Sequence, residues 1–267
     1  MRLQYCRFQT EDGPQYGELA VRGGELWMER VIAPPPEDWT VVKLRKDLPP
    51  QPLSALQLLA PVTPSKIVCI GRNYRDHAAE LGNEVPKEPL IFLKAPSALL
   101  APGATIRIPA ISRRVDFEGE LGVIIARKCH KLTPEEDVRP YIRGYTIVND
   151  VTARDLQKSD GQWSRAKGFD TFCPVGPFVS NAISLDKGVT VITRLNGEVK
   201  QHGSTNDLIF DIAFLLRYIS SAMTLCPGDL IPTGTPAGVG PMQPGDEVEV
   251  EIDGLGKLTN TVAAEQV

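Results

Sequence analysis

The sequence is poor in the residues from which most metal and redox centres are built. Only three histidines, His77, His130 and His202, occur in 267 residues, which argues against a His-rich zinc site. The five cysteines, at 6, 69, 129, 173 and 226, form no Cys-x-x-Cys pair and are odd in number. They read as reduced thiols of a cytoplasmic protein. No apolar run approaches the roughly 18–20 residues of a membrane span, and residues 1–8 lack the apolar core of a signal peptide. A net charge of −4 leaves no basic field for nucleic acid or an anionic membrane. With 42% hydrophobic and 23% charged residues the composition is that of a soluble globular protein. The length suits one large domain, or a small one beside a larger one.

The acids are the notable presence. Val115-Asp116-Phe117-Glu118-Gly119-Glu120 alternates, and an apolar run to Ile125 follows. In a strand, positions i, i+2 and i+4 share a face, which would set Asp116, Glu118 and Glu120 side by side. Such a row repels itself and raises its pKa values unless a cation lies among the carboxylates. Two readings stand: a solvated acidic edge strand, or a hard divalent cation with oxygen ligands. Residues 144–150 read as a second buried strand ending in Asn149-Asp150. Its acid meets the first two if the strands are neighbours.

Taken in order, residues 1–60 read as a small module. It has a hairpin turn at Arg22-Gly23-Gly24, a Pro34-Pro35-Pro36 breaker and a short helical stretch ending near Leu59. It shows no chemistry, and its expected role is packing or dimerisation. The boundary is set at 62/63. A buried strand at 66–71 leads into a short helix with a glycine stop at Gly82. His77 and Glu80, three apart, share a face. They are either a chance pair on an exposed helix or a general base held by a carboxylate. A strand ends in Lys94, and the polar segment 82–88 is a plausible lid beside the base. Thr133-Pro134-Glu135-Glu136 predicts a capped helix ending near Gly144, with His130 a surface histidine. Arg154 and Gln157 project together if a helix follows Asp150. Arg154 and Lys167 would suit an anionic substrate, against the usual fate of surface cations. The last third is mostly β, with an Asn196-Gly197 hairpin and an amphipathic helix over 209–219, for which Asn206 and Asp207 are cap candidates. The glycine-rich stretch 228–240 lets backbone N–H groups approach an anion. It is neither a Walker A nor a dinucleotide fingerprint.

These segments together resemble the fumarylacetoacetate hydrolase family over about residues 63–263. They are Gly71-Arg72-Asn73-Tyr74 with His77, Phe117-Glu118-Gly119-Glu120-Leu121, residues 144–157, Lys167-Gly168-Phe169-Asp170, and Thr233-Gly234-Thr235-Pro236 through Gly240. Their order is specific for the family and much less so for a substrate. Gly168 stands where several members carry Ser. The resemblance implies an α+β, predominantly β fold. It would consist of a mixed β-roll catalytic domain (63–267), a small β-rich N-terminal domain (1–62), and usually a homodimer. It implies Mg²⁺ or Mn²⁺ on Glu118, Glu120 and Asp150, with Asp116 outside the ligand set. It further implies His77 and Glu80 as the water-activating dyad, Lys167 as the site lysine, and Arg72, Tyr74, Lys94, Arg154, Gln157 and Thr235 as substrate-binding positions.

The expected chemistry follows. A 2-oxo acid chelates the metal, which stabilises the enolate formed as the bond beyond C3 breaks. Hydrolysis adds water activated by His77. The leading expectation is therefore a hydrolase of C–C bonds in acylpyruvates or related β-diketo acids. Oxaloacetate decarboxylation and 2-hydroxyhepta-2,4-diene-1,7-dioate isomerisation use the same metal site, and a non-catalytic small-acid binding protein is the reading from outside enzymes.

Overall fold

The computed structural model describes residues 3–80, 82 and 84–265. Leu81 and Asn83, in the expected helix end and lid, lie outside the described residues.

The chain is predominantly β, as expected, and its strands form several sheets. The largest runs in the order Gln51–Pro52, Glu25–Ile32, Gly13–Arg22, Gln4–Thr10, Cys173–Ser180, Ile142–Asn149, Gly119–Ile125, Leu230–Pro232, Ile67–Gly71, Leu90–Lys94. It is mixed: Leu230–Pro232 runs parallel to Ile67–Gly71, and the other neighbours on this path are antiparallel. The boundary drawn at 62/63 does not fall between sheets. Gln4 pairs with Ser180 and Tyr5 with Val179, so the N-terminal hairpins continue the sheet that holds Gly119–Ile125. Cys6, Phe8, Leu19 and Met28 share one core with Leu121, Ile147, Phe178 and Val250.

A five-stranded sheet (Glu198–Ser204, Thr190–Leu195, Glu247–Ile252, Gly256–Ala264, Thr105–Ile108) packs against it through that core. A three-stranded sheet joins Thr152–Ala153, Val115–Phe117 and Gly240–Met242. Helices are few and short. Ile212–Ala222 buries Leu215, Leu216 and Ile219. Its cap is Asp211, whose carboxylate accepts the Phe214 N–H, and not the expected Asn206 or Asp207. Among the described residues no helix is long and apolar enough to cross a membrane.

Two other expectations fail for local reasons. Thr133-Pro134-Glu135-Glu136 forms its capping contact, with the Thr133 N–H on the Glu136 carboxylate at 3.4 Å, but no α-helix follows. Pro140 lacks an N–H and disfavours the α region in the residue before it, leaving a single 3₁₀ turn at Arg139–Tyr141. The stretch after Pro52 is likewise one 3₁₀ turn, Leu53–Ala55, followed by the strand Leu58–Leu59.

Candidate active site

The acidic stretch is not one strand. Val115–Phe117 belongs to the three-stranded sheet, and Gly119–Ile125 enters the large one. The chain changes sheets at Glu118, so Asp116 does not line up with Glu118 and Glu120 as the alternation suggested. Asp116 turns to Arg114 (2.8 Å) and Arg154 (2.9 Å). The strand ending in Asn149 lies beside Gly119–Ile125, with Gly119 opposite Asn149. The Asp150 N–H donates to the Glu118 carbonyl at 2.8 Å, and Asn149 Oδ1 accepts the Glu118 N–H at 2.9 Å. This pairing brings carboxylate oxygens of Glu118, Glu120 and Asp150 within 4.8 Å of one another, all three buried.

Cations close around them. Lys167, on the short helix Ser164–Gly168, donates to Glu118 Oε2 at 2.7 Å and Asp150 Oδ2 at 2.6 Å. Lys94 donates to Asp150 Oδ1 at 2.6 Å and to the Val151 carbonyl. Arg154, which opens the helix Arg154–Ser159, bridges Asp116, Glu118 and Gln157. Burial works against charge on Glu118, yet Lys167, Arg154 and His77 hold its carboxyl well below the usual range. Glu120 goes the other way. Burial, then Asp150 and Glu118, push its carboxyl far up. It has no cationic partner among the described residues, and its one hydrogen bond is the Gly234 N–H at 2.8 Å. Four buried carboxylates thus face the three buried cations Arg154, Lys94 and Lys167. An all-oxygen donor set with one uncompensated carboxylate fits a hard divalent cation.

His77 and Glu80 lie on the helix Arg75–Glu80. His77 is buried, with Nδ1 at 3.3 Å from Glu80 Oε2. Burial lowers its pKa; Glu118 and Glu80 oppose the shift without cancelling it. Glu80 is in turn held by the Gly238 N–H at 3.1 Å. The glycine-rich loop offers its amides to carboxyl groups of the protein itself: the Gly234 N–H serves Glu120, and the Gly238 N–H serves Glu80. Gly238 has φ +99°, and a Cβ there would stand 1.9 Å from the Lys200 carbonyl oxygen, so glycine is required.

A cavity of about 310 Å³ opens onto these groups, lined by Arg72, His77, Glu118, Glu120, Arg154, Gln157, Lys167 and Thr235. Ile70, Phe92 and Trp163 form its apolar wall, and Lys158 joins the lining. Arg72 has φ 58°, a conformation that non-glycine residues hold only when the surroundings impose it. Its guanidinium has no carboxylate partner among the described residues. Two expected substrate positions do not line the cavity. Lys94 lies behind Asp150, engaged as above, and Tyr74 lines a neighbouring cavity with Arg75 and His202. Nothing local in the sequence marked Phe92 or Lys158 as lining residues.

The family model described as fumarylacetoacetate (FAA) hydrolase C-terminal matches residues 66–263. The oxaloacetate tautomerase YisK of Bacillus subtilis is 42% identical over 224 residues, 79% of this chain and 74% of that one. The crystal structure of 2-hydroxyhepta-2,4-diene-1,7-dioate isomerase from Mycobacterium marinum superposes with a TM-score of 0.86 at 42% identity, covering 99% of this chain and all 100% of that one. Fumarylpyruvate hydrolase from Pseudomonas aeruginosa, solved in complex with Mn²⁺ and pyruvate, gives 0.70 at 31% identity, over 78% of this chain and 92% of that one. With the carboxylate cluster and the dyad both inside the matched segment, the chain belongs to the fumarylacetoacetate hydrolase family.

Proposed function

We propose that the chain is a divalent-metal-dependent enzyme that moves a proton within a small 2-oxo dicarboxylic acid. The reaction is keto–enol tautomerisation of an oxaloacetate-like acid, or the matching proton shift in a 2-hydroxydienedioate. The observation that carries this reading is one small cavity lined by Glu118 and Glu120 of the three-carboxylate cluster, a buried histidine with a carboxylate behind it, and a guanidinium with no carboxylate partner among the described residues. At about 310 Å³ the cavity is at the small end of ligand pockets, which suits a short acid.

Glu118, Glu120 and Asp150 would hold Mg²⁺ or Mn²⁺. When bound, the ion supplies Lewis acidity toward the carboxylate and keto oxygens of a 2-oxo acid, which makes the C3 proton easier to remove. The chain's own residues do the rest. With Nδ1 turned to Glu80, His77 keeps Nε2 for the proton at C3. Lys167 stabilises negative charge developing on the keto oxygen. Arg72 takes the second carboxylate of the substrate. Arg154, anchored on Asp116 and Glu118, fixes Gln157 at the cavity wall. Phe92 and Trp163, in edge-to-face contact at 5.2 Å, keep water from the apolar side. Relatives named for proton shifts reach 42% identity and named hydrolases 36%, which leans toward proton transfer over cleavage. We assign the protein to the cytoplasm, on its five free cysteines, and read it as a homodimer.

A second reading, hydrolysis of an acylpyruvate, is favoured by the His77–Glu80 pair, because the same base can activate water. The two are separated by following enol absorbance of oxaloacetate, and cleavage of a short acylpyruvate, with Mg²⁺ and with a chelator. Metal-dependent tautomerisation faster than cleavage supports the proposal. Cleavage faster than tautomerisation moves the assignment to the hydrolase. Silence on both substrates with metal present overturns both.

A further inference from the structure

We infer that Gln201, which lies outside the cavity lining, is a positioning residue for the carboxylate pair Glu118 and Glu120. The inference rests on the metal-binding reading above.

Gln201 sits on Glu198–Ser204, the outermost strand of the five-stranded sheet. It is the one fully buried side chain of that strand. A buried position there would ordinarily be apolar, because an amide carries a desolvation cost unless every group is bonded. Here every group is. Oε1 accepts the Gly119 N–H at 2.9 Å. Nε2 donates to Thr235 Oγ1 at 2.7 Å and to the Pro236 carbonyl at 2.8 Å. Thr235 Oγ1 then donates to the Gly119 carbonyl at 2.9 Å. The amide cannot be flipped, since a carbonyl only accepts and an N–H only donates. The direction of the whole loop of bonds is therefore fixed.

The loop of bonds grips both backbone groups of Gly119, the residue between Glu118 and Glu120 and the first after the chain changes sheets. Close packing holds the same residue as well. A Cβ on Gly119 would lie 2.2 Å from Thr193 Oγ1 and 3.3 Å from Gln201 Oε1. The angle between the two carboxylate-bearing residues is thus set by a side chain 82 residues away in sequence. Groups that orient ligands in this way typically change metal affinity by about 10–100-fold when removed.

The test measures Mn²⁺ affinity by EPR and metal-free melting temperature by circular dichroism on the full chain. Gln201→Met keeps the length of the side chain and removes its polar atoms. Gln15→Met is the control: Gln15 is also fully buried and also ties two backbone groups, the Lys43 carbonyl at 2.7 Å and the Arg45 N–H at 3.0 Å, away from the acids. Both variants should melt lower. Only Gln201→Met should bind Mn²⁺ about 10–100-fold more weakly. Wild-type affinity in a folded Gln201→Met overturns the inference. If that variant does not fold, Thr235→Val against Thr235→Ser decides. Weakening in the valine variant alone supports the inference, and equal affinity in the two overturns it. Absence of Mn²⁺ binding by the wild-type chain overturns the metal reading itself, and with it the role of Gln201.

Discussion

Replacing Lys167 by methionine should weaken the fold and tighten metal binding at once. The ammonium is buried and bonds Glu118 and Asp150 at 2.7 and 2.6 Å. Removing one partner of a buried ion pair costs about 3–5 kcal/mol, because the other is left uncompensated. At roughly 2–4 °C per kcal/mol for a chain of this size, the metal-free protein should melt about 6–20 °C lower. The vacated carboxylates should then take a cation more readily. Two unit charges at ~4 Å repel by up to ~4 kcal/mol at an effective dielectric constant of ~20. Recovering even a third of this repulsion makes Mn²⁺ binding about tenfold tighter. Activity should move the opposite way, falling about 10²–10³-fold with the loss of a group that stabilises the enolate oxygen. Thermal melts in chelator and in Mn²⁺, with calorimetric titration, read all the binding and stability terms. A Lys167→Met protein that melts within two or so degrees of wild type in chelator, or binds Mn²⁺ more weakly, would refute the reasoning.

Other expectations follow from the same contacts. Burial holds the pKa of His77 below its ordinary value, so the base stays neutral to below about pH 6.5. Its contribution to stability is full above the unfolded-state pKa and is lost as pH falls through the lowered folded value. Glu80 raises that pKa, so Glu80→Gln should move the acid limb of the kcat/KM profile to lower pH; an unmoved or raised limb would contradict the pairing. Arg72→Met should raise KM for a dicarboxylic substrate about 10–100-fold, the worth of a charged hydrogen bond, while leaving a monocarboxylic analogue nearly unaffected; equal effects on both would remove Arg72 from the second carboxylate. Gly238→Ala should destabilise by about 1–3 kcal/mol through the clash with the Lys200 carbonyl, read as a lower urea midpoint at unchanged slope. Residues 63–267 expressed alone should aggregate, because removing Gln4–Thr10 uncovers the edge of Cys173–Ser180; a monodisperse, folded fragment would support the 62/63 division as a domain boundary.

The clustered acids were legible because part of their signal is local. A two-residue period names Asp116, Glu118 and Glu120, and an acid at the end of a buried run names Asp150; strand pairing brings Glu118, Glu120 and Asp150 together, the set that the family resemblance implied. The same period overreached at Asp116, since a chain that changes sheets at Glu118 keeps its alternation while losing its common face. Lys94 ends its strand as expected, but its direction is set by Asp150 on a distant strand, which no local pattern records. The capped helix at Thr133 failed to Pro140, a breaker inside the window that the capping motif advertised. Gln201 left no trace at all: a glutamine on an exposed edge strand is unremarkable until the fold shows what it grips.

The central claim is that the carboxylate cluster and His77 together remove a proton from C3 of a 2-oxo acid. Deuterium uptake at the methyl group of pyruvate in D₂O, followed by proton NMR with Mg²⁺ and with chelator, tests it most directly, since nothing but enolisation exchanges that position. The account predicts exchange that requires both the metal and His77, and that disappears in Glu120→Gln. Exchange at the same rate in chelator, or in His77→Ala, would contradict it.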